Sequence, residues 1–438
     1  MLEKIKDYIG ISFWDTIYKY IVFGDFFIAT IPFFQKRKIK KVRALQEKLA
    51  SSLKKKDVIK VVFFLQHSSV WKYDSLYNLL EKSERFEPLV VIAPFNVHLI
   101  YDKDECFKVM EKAELFAKSK GYRYMSSYDY AEKRWVDVKK VVSPDVVFFS
   151  KPYKDTVPSC HLYKFLDCLT LYVPYGIMCL DIYRIDYNLP FHNLLWKFIV
   201  ETKYQKIDSQ NHSLCKSDNV MVGGALGVEK LIDERYCPKD VWKPQKSSKK
   251  RIVWAPHHTV DYLFNFSNFL SYCDFMIELA EKYSEQVQFA FKPHPVLKFK
   301  LINIWGKEKT EAYYQRWASL DNGQVEEGEY IDLFKTSDAL IHDCVSFMAE
   351  YLYTKKPVLF MVKNEEVMGH LNQFGKKCIE NHYISKTKED IESFISTVVI
   401  EGKDTMVAQR TSFLENTLCP NPGLLPSQIV FNQLAELL

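Results

Sequence analysis

Several signatures of common nucleotide and metal enzymes are missing from this sequence of 438 residues. It contains no GxxxxGK[ST], which excludes a P-loop NTPase, and no GxGxxG after the first predicted strand, which argues against a dinucleotide-dependent oxidoreductase. The ten cysteines are scattered between Cys106 and Cys419, without a CxxC pair or a zinc-type Cys/His spacing. No pair of carboxylates has clear metal-ligand spacing. We therefore predict reduced thiols in a cytoplasmic protein, no essential metal and no required cofactor.

Charge of one sign and long apolar runs are also scarce. The formal net charge of +5 is small for this length and does not indicate a nucleic-acid partner. The N-terminus lacks the clean apolar region and small-residue cleavage site of a signal peptide. The stretch Ile17–Phe34 is strongly aromatic, but Lys19, Asp25 and Pro32 interrupt it. Because a spanning helix needs about 20 predominantly apolar residues, this stretch does not predict a membrane span.

A basic cluster follows the aromatic stretch directly. Its members are Lys36, Arg37, Lys38, Lys40, Lys41 and Arg43. An aromatic-rich segment beside basic residues suits an anionic membrane surface, and it predicts a peripheral position on the inner face of the cell membrane. The alternative is a helical extension packed on the first domain, with its lysines merely solvated.

Runs typical of strands alternate with helical spacing along the rest of the chain. The predicted strands are VIKVVFFLQ, PLVVIAP, VSPDVVFFSKP, LTLYVPYG, NVMVGG, RIVWAP, VQFAFKP, SDALIHD and PVLFMV. The predicted helices include SLYNLLEKS, SFMAEYLYTK and residues 105–120, 193–204, 269–283 and 389–399. This alternation predicts mostly parallel, doubly wound sheets.

The polar and basic segment Pro238–Arg251 interrupts the pattern, which then starts again. We therefore predict two facing Rossmann-like α/β domains. The expected organisation is a helical, possibly membrane-associating extension over 1–56, an N-terminal acceptor domain over 57–237 and a C-terminal nucleotide-donor domain over 238–438.

Three predicted strands of the second half end in loops with unusual residues. The loops are Ala255–Thr259 with His257 and His258, Lys292–Pro295 with His294, and His342–Ser346 with Asp343. Ligands of open α/β sheets bind at the carboxyl ends of the strands, so these loops are expected to converge on one cleft.

The residue types in these loops suit a diphosphate. The helix expected to begin near Phe347 would offer unpaired N–H groups, and Ser346 adds a hydroxyl. Lys292 and His294 can donate charge-assisted hydrogen bonds to a departing phosphate. Glu350 lies four residues after Ser346, on the same helical face, and could bind ribose hydroxyls. The alternatives are structural histidines, a simple N-cap at Ser346 and a solvated Glu350.

The order of FKPHP and SDALIHDCVSFMAEYLYTKKPVLFM resembles the CDP-glycerol:poly(glycerophosphate) glycerophosphotransferase family, the teichoic-acid polymerases and primases. The segments NVMVGGALGVEKL and NPGLLPSQIV are similar to other parts of that family. Matching positions are Asp343, Ser346, Glu350, Lys355, Lys356 and Pro357. The resemblance covers the second half of the chain well and the first half poorly.

This resemblance implies an α/β fold of GT-B type and a donor that is CDP-glycerol or a related CDP-polyol. The implied phosphate-binding residues are Lys292, Ser346, His257, His258 and Asp343, with Glu350 at the ribose. An acceptor hydroxyl on a cell-surface glycan, or on its polyprenyl-linked precursor, would attack the β-phosphorus with loss of CMP. His294 would stabilise or protonate the departing CMP.

The sequence departs from the family where the catalytic base is expected. The family has Trp-His-Gly-Thr, whereas this chain has Val173-Pro174-Tyr175-Gly176-Ile177, so that Tyr175 replaces the histidine. A tyrosine of ordinary pKa is a poor base near neutral pH. His67, in the loop after the first strand, is an alternative base.

We therefore predict a glycerophosphotransferase-like enzyme. One alternative is a nucleotide-sugar glycosyltransferase of the same architecture, acting in capsule or surface polysaccharide synthesis. Another is a catalytically inactive nucleotide-binding module, which the replacement at Tyr175 would explain.

Overall fold

The structure, a computed structural model, describes residues 32–95, 103–260 and 265–438. These residues form two units. The first comprises the described residues up to Gly176 together with Ile182–Gly227 and Gly423–Leu438, and the second comprises Ile177–Asp181 and Val228–Pro422. The observed division after Gly227 lies ten residues before the predicted one, and Gly423–Leu438, predicted to belong to the second domain, is part of the first unit. The return of the last residues to the first unit has no signal in the local sequence.

A seven-stranded parallel sheet forms the centre of the first unit. Its strands are β1 (Ile59–Leu65), β2 (Phe86–Ile92), β3 (Tyr124–Ser126), β6 (Val146–Phe149), β7 (Leu169–Tyr172), β8 (Lys197–Val200) and β9 (Val220–Val222), and the separate pair β4 (Tyr128–Asp129) and β5 (Arg134–Trp135) forms a small antiparallel ribbon. The spatial order is β3-β2-β1-β6-β7-β8-β9. Val61 of β1 pairs with Pro88 on one side and Val146 on the other, so the strand order reverses between β1 and β6.

Helices cover this sheet on both faces and at its ends. They are α1 (Pro32–Leu53), α2 (Asp74–Glu81), α3 (Lys103–Ser119), α4 (Val138–Val142), α5 (Tyr183–Tyr187), α6 (Pro190–Leu194) and α7 (Lys203–His212). A last helix of this unit spans Pro426–Leu437. Its Val430 and Leu434 are buried in the same core as Phe63 and Val90, which explains why the C-terminus belongs to the first unit.

The helix predicted over residues 193–204 is wrong. This segment contains the buried strand β8, between the end of α6 and the start of α7. Pro190 starts the short helix α6, and Thr202 caps α7 through a bond that its side chain accepts from Tyr204 N. The four residues KFIV pair with strands on both sides, and that burial outweighs the helical spacing of the sequence.

The second unit has a six-stranded parallel sheet of order β12-β11-β10-β13-β14-β15. Its strands are β10 (Lys250–Ala255), β11 (Val287–Phe291), β12 (Gly323–Val325), β13 (Ala339–His342), β14 (Val358–Met361) and β15 (Tyr383–Ser385). Its helices are α8 (Phe269–Lys282), α9 (Leu297–Trp305), α10 (Lys307–Ser319), α11 (Ile331–Thr336), α12 (Phe347–Glu350), α13 (Glu365–Gly369), α14 (Gln373–Ile379), α15 (Lys388–Ser393) and α16 (Val407–Phe413). The last helix of the first unit, Pro426–Leu437, is therefore numbered α17. The strand order reverses between β10 and β13, as it does between β1 and β6 in the first unit.

The aromatic-rich stretch predicted near the membrane falls largely outside the described residues, because the description begins at residue 32. Within the described part of the chain, no helix combines the length and the apolar character that crossing a bilayer requires.

Candidate functional site

Three histidines meet where the second sheet reverses its strand order. His257 and His258 follow β10, and His294 follows the neighbouring strand β11. One ring nitrogen from each lies within 4.8 Å of those of the other two. The ring centroids of His258 and His294 are 4.2 Å apart. The convergence predicted from the sequence is therefore found for these three residues.

Asp343 holds the loop that carries His257. Its carboxylate accepts hydrogen bonds from the backbone N–H of His257 (2.6 Å) and of Asn268 (2.5 Å). The side chain is 1% exposed, and burial raises its pKa to about 7. We predicted a phosphate contact here, but both carboxylate oxygens accept hydrogen bonds from backbone N–H groups. A carboxylate would also repel phosphate, so Asp343 has a positioning role.

The hydrogen bonds of His294 define which of its nitrogens can donate. Nδ1 accepts a hydrogen bond from the backbone N–H of Val296, with 3.2 Å between the two nitrogens. The neutral ring must then carry its own hydrogen on Nε2, so Nε2–H can donate to an oxygen of a ligand. Burial, reinforced by repulsion from His258, Lys292 and Lys300, lowers the pKa of His294 to about 3.

His257 also forms a short-range hydrogen bond through Nδ1. Its Nδ1 is 2.9 Å from the hydroxyl oxygen of Thr259, and burial together with His258 and His294 holds its pKa well below the usual value. Neutral imidazoles collected at a strand-order reversal provide polar donors without the repulsion of three cations. An incoming anion would raise the pKa values of His257 and His294.

Lys292 is deeply placed beside this cluster. Its side chain is 5% exposed, and its Nζ donates a hydrogen bond to the carbonyl of Gly328 (2.7 Å). Burial lowers its pKa, and the acidic residues Glu326 and Glu327 oppose that effect. Because an ammonium has three hydrogens, one bond to a carbonyl leaves donors for a phosphate oxygen.

Ser346 precedes a helix that begins at Phe347, as predicted, but α12 has only four residues before a 3-10 turn over Tyr351–Thr354. The Ser346 hydroxyl oxygen lies 3.4 Å from the Cys344 sulfur and caps no backbone N–H. Glu350 is 3% exposed, and the Tyr330 hydroxyl forms a hydrogen bond with its carboxylate. The predicted ribose contact of Glu350 would therefore compete with Tyr330.

The candidate bases His67 and Tyr175 belong to the first unit. The Nδ1 of His67 lies 2.6 Å from the Ser69 hydroxyl oxygen, just beyond the end of β1. Tyr175 follows β7 and is 37% exposed. Its hydroxyl is 3.2 Å from that of Tyr153, and burial of this end of the side chain raises its pKa above the ordinary value.

The first unit also contains a cavity of about 650 Å³, including space open to solvent, where its own strand order reverses. Gln66 follows β1 and Lys151 follows β6, and both line it, as do Tyr153 and His161. Lys151 forms an ion pair of 2.6 Å with Asp155, to which Gln66 also donates a hydrogen bond. These cavity residues are not among those predicted from the sequence. The signal was present, because FFSKP ends β6 in the same way that FKPHP ends β11.

The six predicted membrane-contact residues fall into two groups, one exposed and one packed against the first unit. Lys36, Arg37, Lys40 and Lys41 are exposed on α1. Arg43 donates hydrogen bonds to the carbonyls of Leu195 (3.1 Å) and Trp196 (3.2 Å), and Lys38 lies over the Tyr163 ring at 4.3 Å. Arg43 and Lys38 therefore hold the helix to its own unit.

Two parallel sheets that both reverse their strand order, one with a cluster of basic side chains at that point, define a protein of the two-domain α/β class. Solved structures confirm this fold. Over 92% of this chain and 97% of the other, the wall teichoic acid polymerase TagF matches with a TM-score of 0.53 and 11% identity. The S. aureus MnaA–UDP complex matches with a TM-score of 0.51, 15% identity and coverage of 87% and 98%. The UDP-GlcNAc 2-epimerase from Neisseria meningitidis, bound to UDP-GlcNAc, matches with a TM-score of 0.52 and 16% identity, over 86% of this chain and 99% of the other.

The similarity to a known family lies in the second unit. Residues 243–388 match the model of the CDP-Glycerol:Poly(glycerophosphate) glycerophosphotransferase family. The match contains all three strand-end loops of the histidine cluster. The predicted GT-B-type fold and the predicted family resemblance are both confirmed. No curated protein matches the chain.

Proposed function

We propose that this protein transfers glycerol phosphate, or a related polyol phosphate, from a CDP-linked donor to a hydroxyl of a cell-surface glycan or its lipid-linked precursor, releasing CMP. The observation that carries the proposal is the coincidence of the family match with the His257, His258 and His294 cluster. The TagF polymerase also supports it, since its fold is shared over most of this chain.

In this reaction the second unit holds the donor diphosphate. Nε2–H of His294 and the ammonium of Lys292 donate to phosphate oxygens, and His257 and His258 add further polar contacts. The acceptor oxygen forms a bond to the β-phosphorus while the bond from that phosphorus to the CMP oxygen breaks. Charge grows on the departing CMP, so donors already fixed at this place lower the barrier. Attack requires positioning and charge stabilisation but no covalent intermediate.

The hydrogen-bond pattern favours an anion over a metal ion at this cluster. The backbone N–H of Val296 occupies Nδ1 of His294 and leaves Nε2 protonated. That tautomer donates to oxygen and does not ligate metal through Nε2.

Nucleotide release tests the proposal. The purified protein is incubated with CDP-glycerol, CDP-ribitol and a panel of nucleotide sugars, with and without a glycan or polyprenyl-linked acceptor. We expect acceptor-dependent release of CMP from a CDP-polyol. Release of nucleotide only from a nucleotide sugar would identify the glycosyltransferase alternative, and binding without any release would identify an inactive module.

We also propose that the protein acts at the inner face of the cell membrane. The exposed residues Lys36, Arg37, Lys40 and Lys41 lie along α1 and give its free side a positive charge. Anionic lipids attract such a surface, and each Lys or Arg near it contributes about 1 kcal/mol. A lipid-linked acceptor would require this location.

A further inference from the structure

The cavity of the first unit lies where its own sheet offers a place for a ligand. Gln66 directly follows β1, Ala93 follows β2 and Ser150 follows β6, and all three residues line the cavity. The strand order reverses between β1 and β6, and open α/β sheets bind ligands at such a reversal. The volume of about 650 Å³, which includes space open to solvent, lies within the range of small-molecule pockets. The function proposed above gives this cavity no role.

A polar patch of three side chains, Gln66, Lys151 and Asp155, forms one side of the cavity. Asp155 is 3% exposed, and its carboxylate accepts hydrogen bonds from Lys151 Nζ (2.6 Å) and Gln66 Nε2 (3.0 Å). Gln66 Nε2 also donates to the backbone carbonyl of Asp155 (3.1 Å), so Gln66 offers a ligand its amide oxygen. The ammonium of Lys151 keeps further hydrogens to donate. Because the charges of Lys151 and Asp155 offset each other, the patch offers an acceptor beside a donor, which suits adjacent hydroxyl groups.

Aromatic rings form another part of the lining. The Phe149 ring centroid lies 5.5 Å from that of Phe64 and 5.6 Å from that of Phe191, and all three side chains line the cavity together with Tyr163. Small-molecule sites commonly combine such walls with a few polar groups that fix the orientation of the ligand. A sugar ring matches both parts, since it has an apolar C–H face for the rings and hydroxyl groups for the polar patch.

Two lysines add positive charge beside the aromatic lining. Nζ of Lys154, which lines the cavity, lies 5.0 Å from the centroid of the Tyr163 ring. Nζ of Lys38, on α1, lies 4.3 Å from the same centroid. Two ammonium groups therefore share one ring of the cavity wall, and their fields add there. An anionic group such as a phosphate is the part of a ligand that this place favours.

We propose that this cavity binds a sugar phosphate, with the sugar ring against the aromatic rings and the polar patch and the phosphate at Lys38 and Lys154. The site lies wholly within the first unit, so the proposal does not depend on which donor the second unit uses. A sugar phosphate can be a free metabolite or the head group of a polyprenyl-linked glycan. Lys38 belongs to α1, whose exposed basic residues are proposed above to contact lipid, and the lipid-linked form is therefore the expected source.

Calorimetry on the full chain tests the proposal with N-acetylglucosamine 1-phosphate as the probe. We expect it to bind at least about tenfold more tightly than N-acetylglucosamine or inorganic phosphate, because each part alone makes only some of the contacts. The double variant Lys38→Gln and Lys154→Gln should weaken binding by about 10–100-fold through the loss of charge-assisted hydrogen bonds. Lys164→Gln, at an exposed position outside the cavity lining, is the matched control and should bind like the wild type.

Hydrogen exchange read by mass spectrometry locates the bound probe. Exchange should slow in peptides from residues 150–163 and stay unchanged in peptides from residues 250–258 and 291–296, which contain the histidine cluster. A variant with His257→Gln and His294→Gln should retain wild-type affinity for the probe. Loss of binding in that variant, with full binding in the lysine variant, would place the probe in the second unit and overturn the proposal.

Two further results would also overturn it. Equal affinities for inorganic phosphate and the sugar phosphate would show an anion site without sugar recognition. Slower exchange of residues 150–163 with CMP, but not with the sugar phosphate, would show a nucleotide site. The same sugar joined to farnesyl diphosphate in detergent micelles, compared with empty micelles, separates the two sources: tighter binding assigns the lipid-linked form, and equal or weaker binding assigns the free one. A lack of CMP release from CDP-glycerol would contradict the proposed function and leave this binding unchanged.

Discussion

At the scale of single residues, His294 has the geometry of a hydrogen-bond donor to a ligand oxygen. Its Nδ1 is occupied by a backbone N–H, so only Nε2–H can contact a ligand. We expect His294→Ala to reduce CMP release by about a hundredfold or more, with little change in thermal stability. His370→Ala is the matched control in the same unit, because that ring is partly exposed and its Nδ1 lies 3.6 Å from the Asp181 carboxylate. Wild-type turnover in His294→Ala would remove this residue from the mechanism.

The histidine cluster also predicts a coupling between ligand and protons. In the free protein the pKa of His294 is lowered to about 3 and that of His257 lies well below its usual value, so both are neutral. A bound diphosphate raises these pKa values, and the complex therefore holds more protons than the free protein. Affinity for CDP-glycerol should increase as the pH falls from about 7.5 to 5.5.

Calorimetry in two buffers of different ionisation enthalpy measures this proton uptake. CDP-glycerol suits the experiment because its diphosphate is a diester and does not titrate in this range. The uptake should disappear in a variant that replaces both His257 and His294 with Gln. An affinity independent of pH, with equal heats in both buffers, would contradict protonation of His257 and His294 on diphosphate binding.

The roles of individual site residues were only partly predictable. His257, His258 and His294 could be placed because they follow apolar runs, and parallel strands deliver their ends to one edge of a sheet. The positioning role of Asp343 could not, since it depends on Asn268, which lies 75 residues away along the chain. The bond between Glu350 and Tyr330 is equally invisible in the local sequence.

At the scale of elements, strands buried on both faces were the easiest to predict. The apolar runs of β10, β11, β13 and β14 stand at the predicted places, and the helix predicted over 269–283 is observed as Phe269–Lys282. Ambiguity remained where a short apolar run lay between two helices. Residues 193–204 have helical spacing, but the short run of β8 becomes a strand because β7 and β9 pair with it on both sides.

The basic side of α1 leads to a prediction at this scale. Replacing Lys36, Arg37, Lys40 and Lys41 with Gln should weaken binding to anionic vesicles by about a hundredfold or more, on the basis of about 1 kcal/mol for each charge. The control variant removes the same number of exposed charges outside α1 in the first unit, at Lys54, Lys55, Lys82 and Lys112. Cosedimentation with vesicles of phosphatidylglycerol and phosphatidylcholine measures both. Equal losses in the two variants would show a nonspecific charge effect and would contradict a membrane-binding side of α1.

At the scale of the whole molecule, the chain passes from the first unit to the second and back. The two sheets repeat one strand order without sequence similarity evident between them, because the order follows from right-handed crossovers between parallel strands. The final helix α17 completes the first core, where Val430 and Leu434 are buried and the Phe431 ring lies 6.1 Å from that of Phe86. Arg85 also donates a hydrogen bond to the carbonyl of Leu438. The stability of the first unit therefore depends on residues that are far from β1 and β2 along the chain.

This closure predicts that a substitution in α17 weakens the unit at the opposite end of the sequence. Leu434 is 1% exposed, so Leu434→Ala should lower the stability of the first unit by about 2–5 kcal/mol through lost burial and the cavity that remains. Hydrogen exchange read by mass spectrometry should show faster exchange in peptides from β1 and β2, with peptides from β10 and β13 unchanged. Leu424→Ala, at a partly exposed position of the same C-terminal segment, should leave both sheets as in the wild type. Faster exchange in the second sheet alone would contradict the assignment of α17 to the first core.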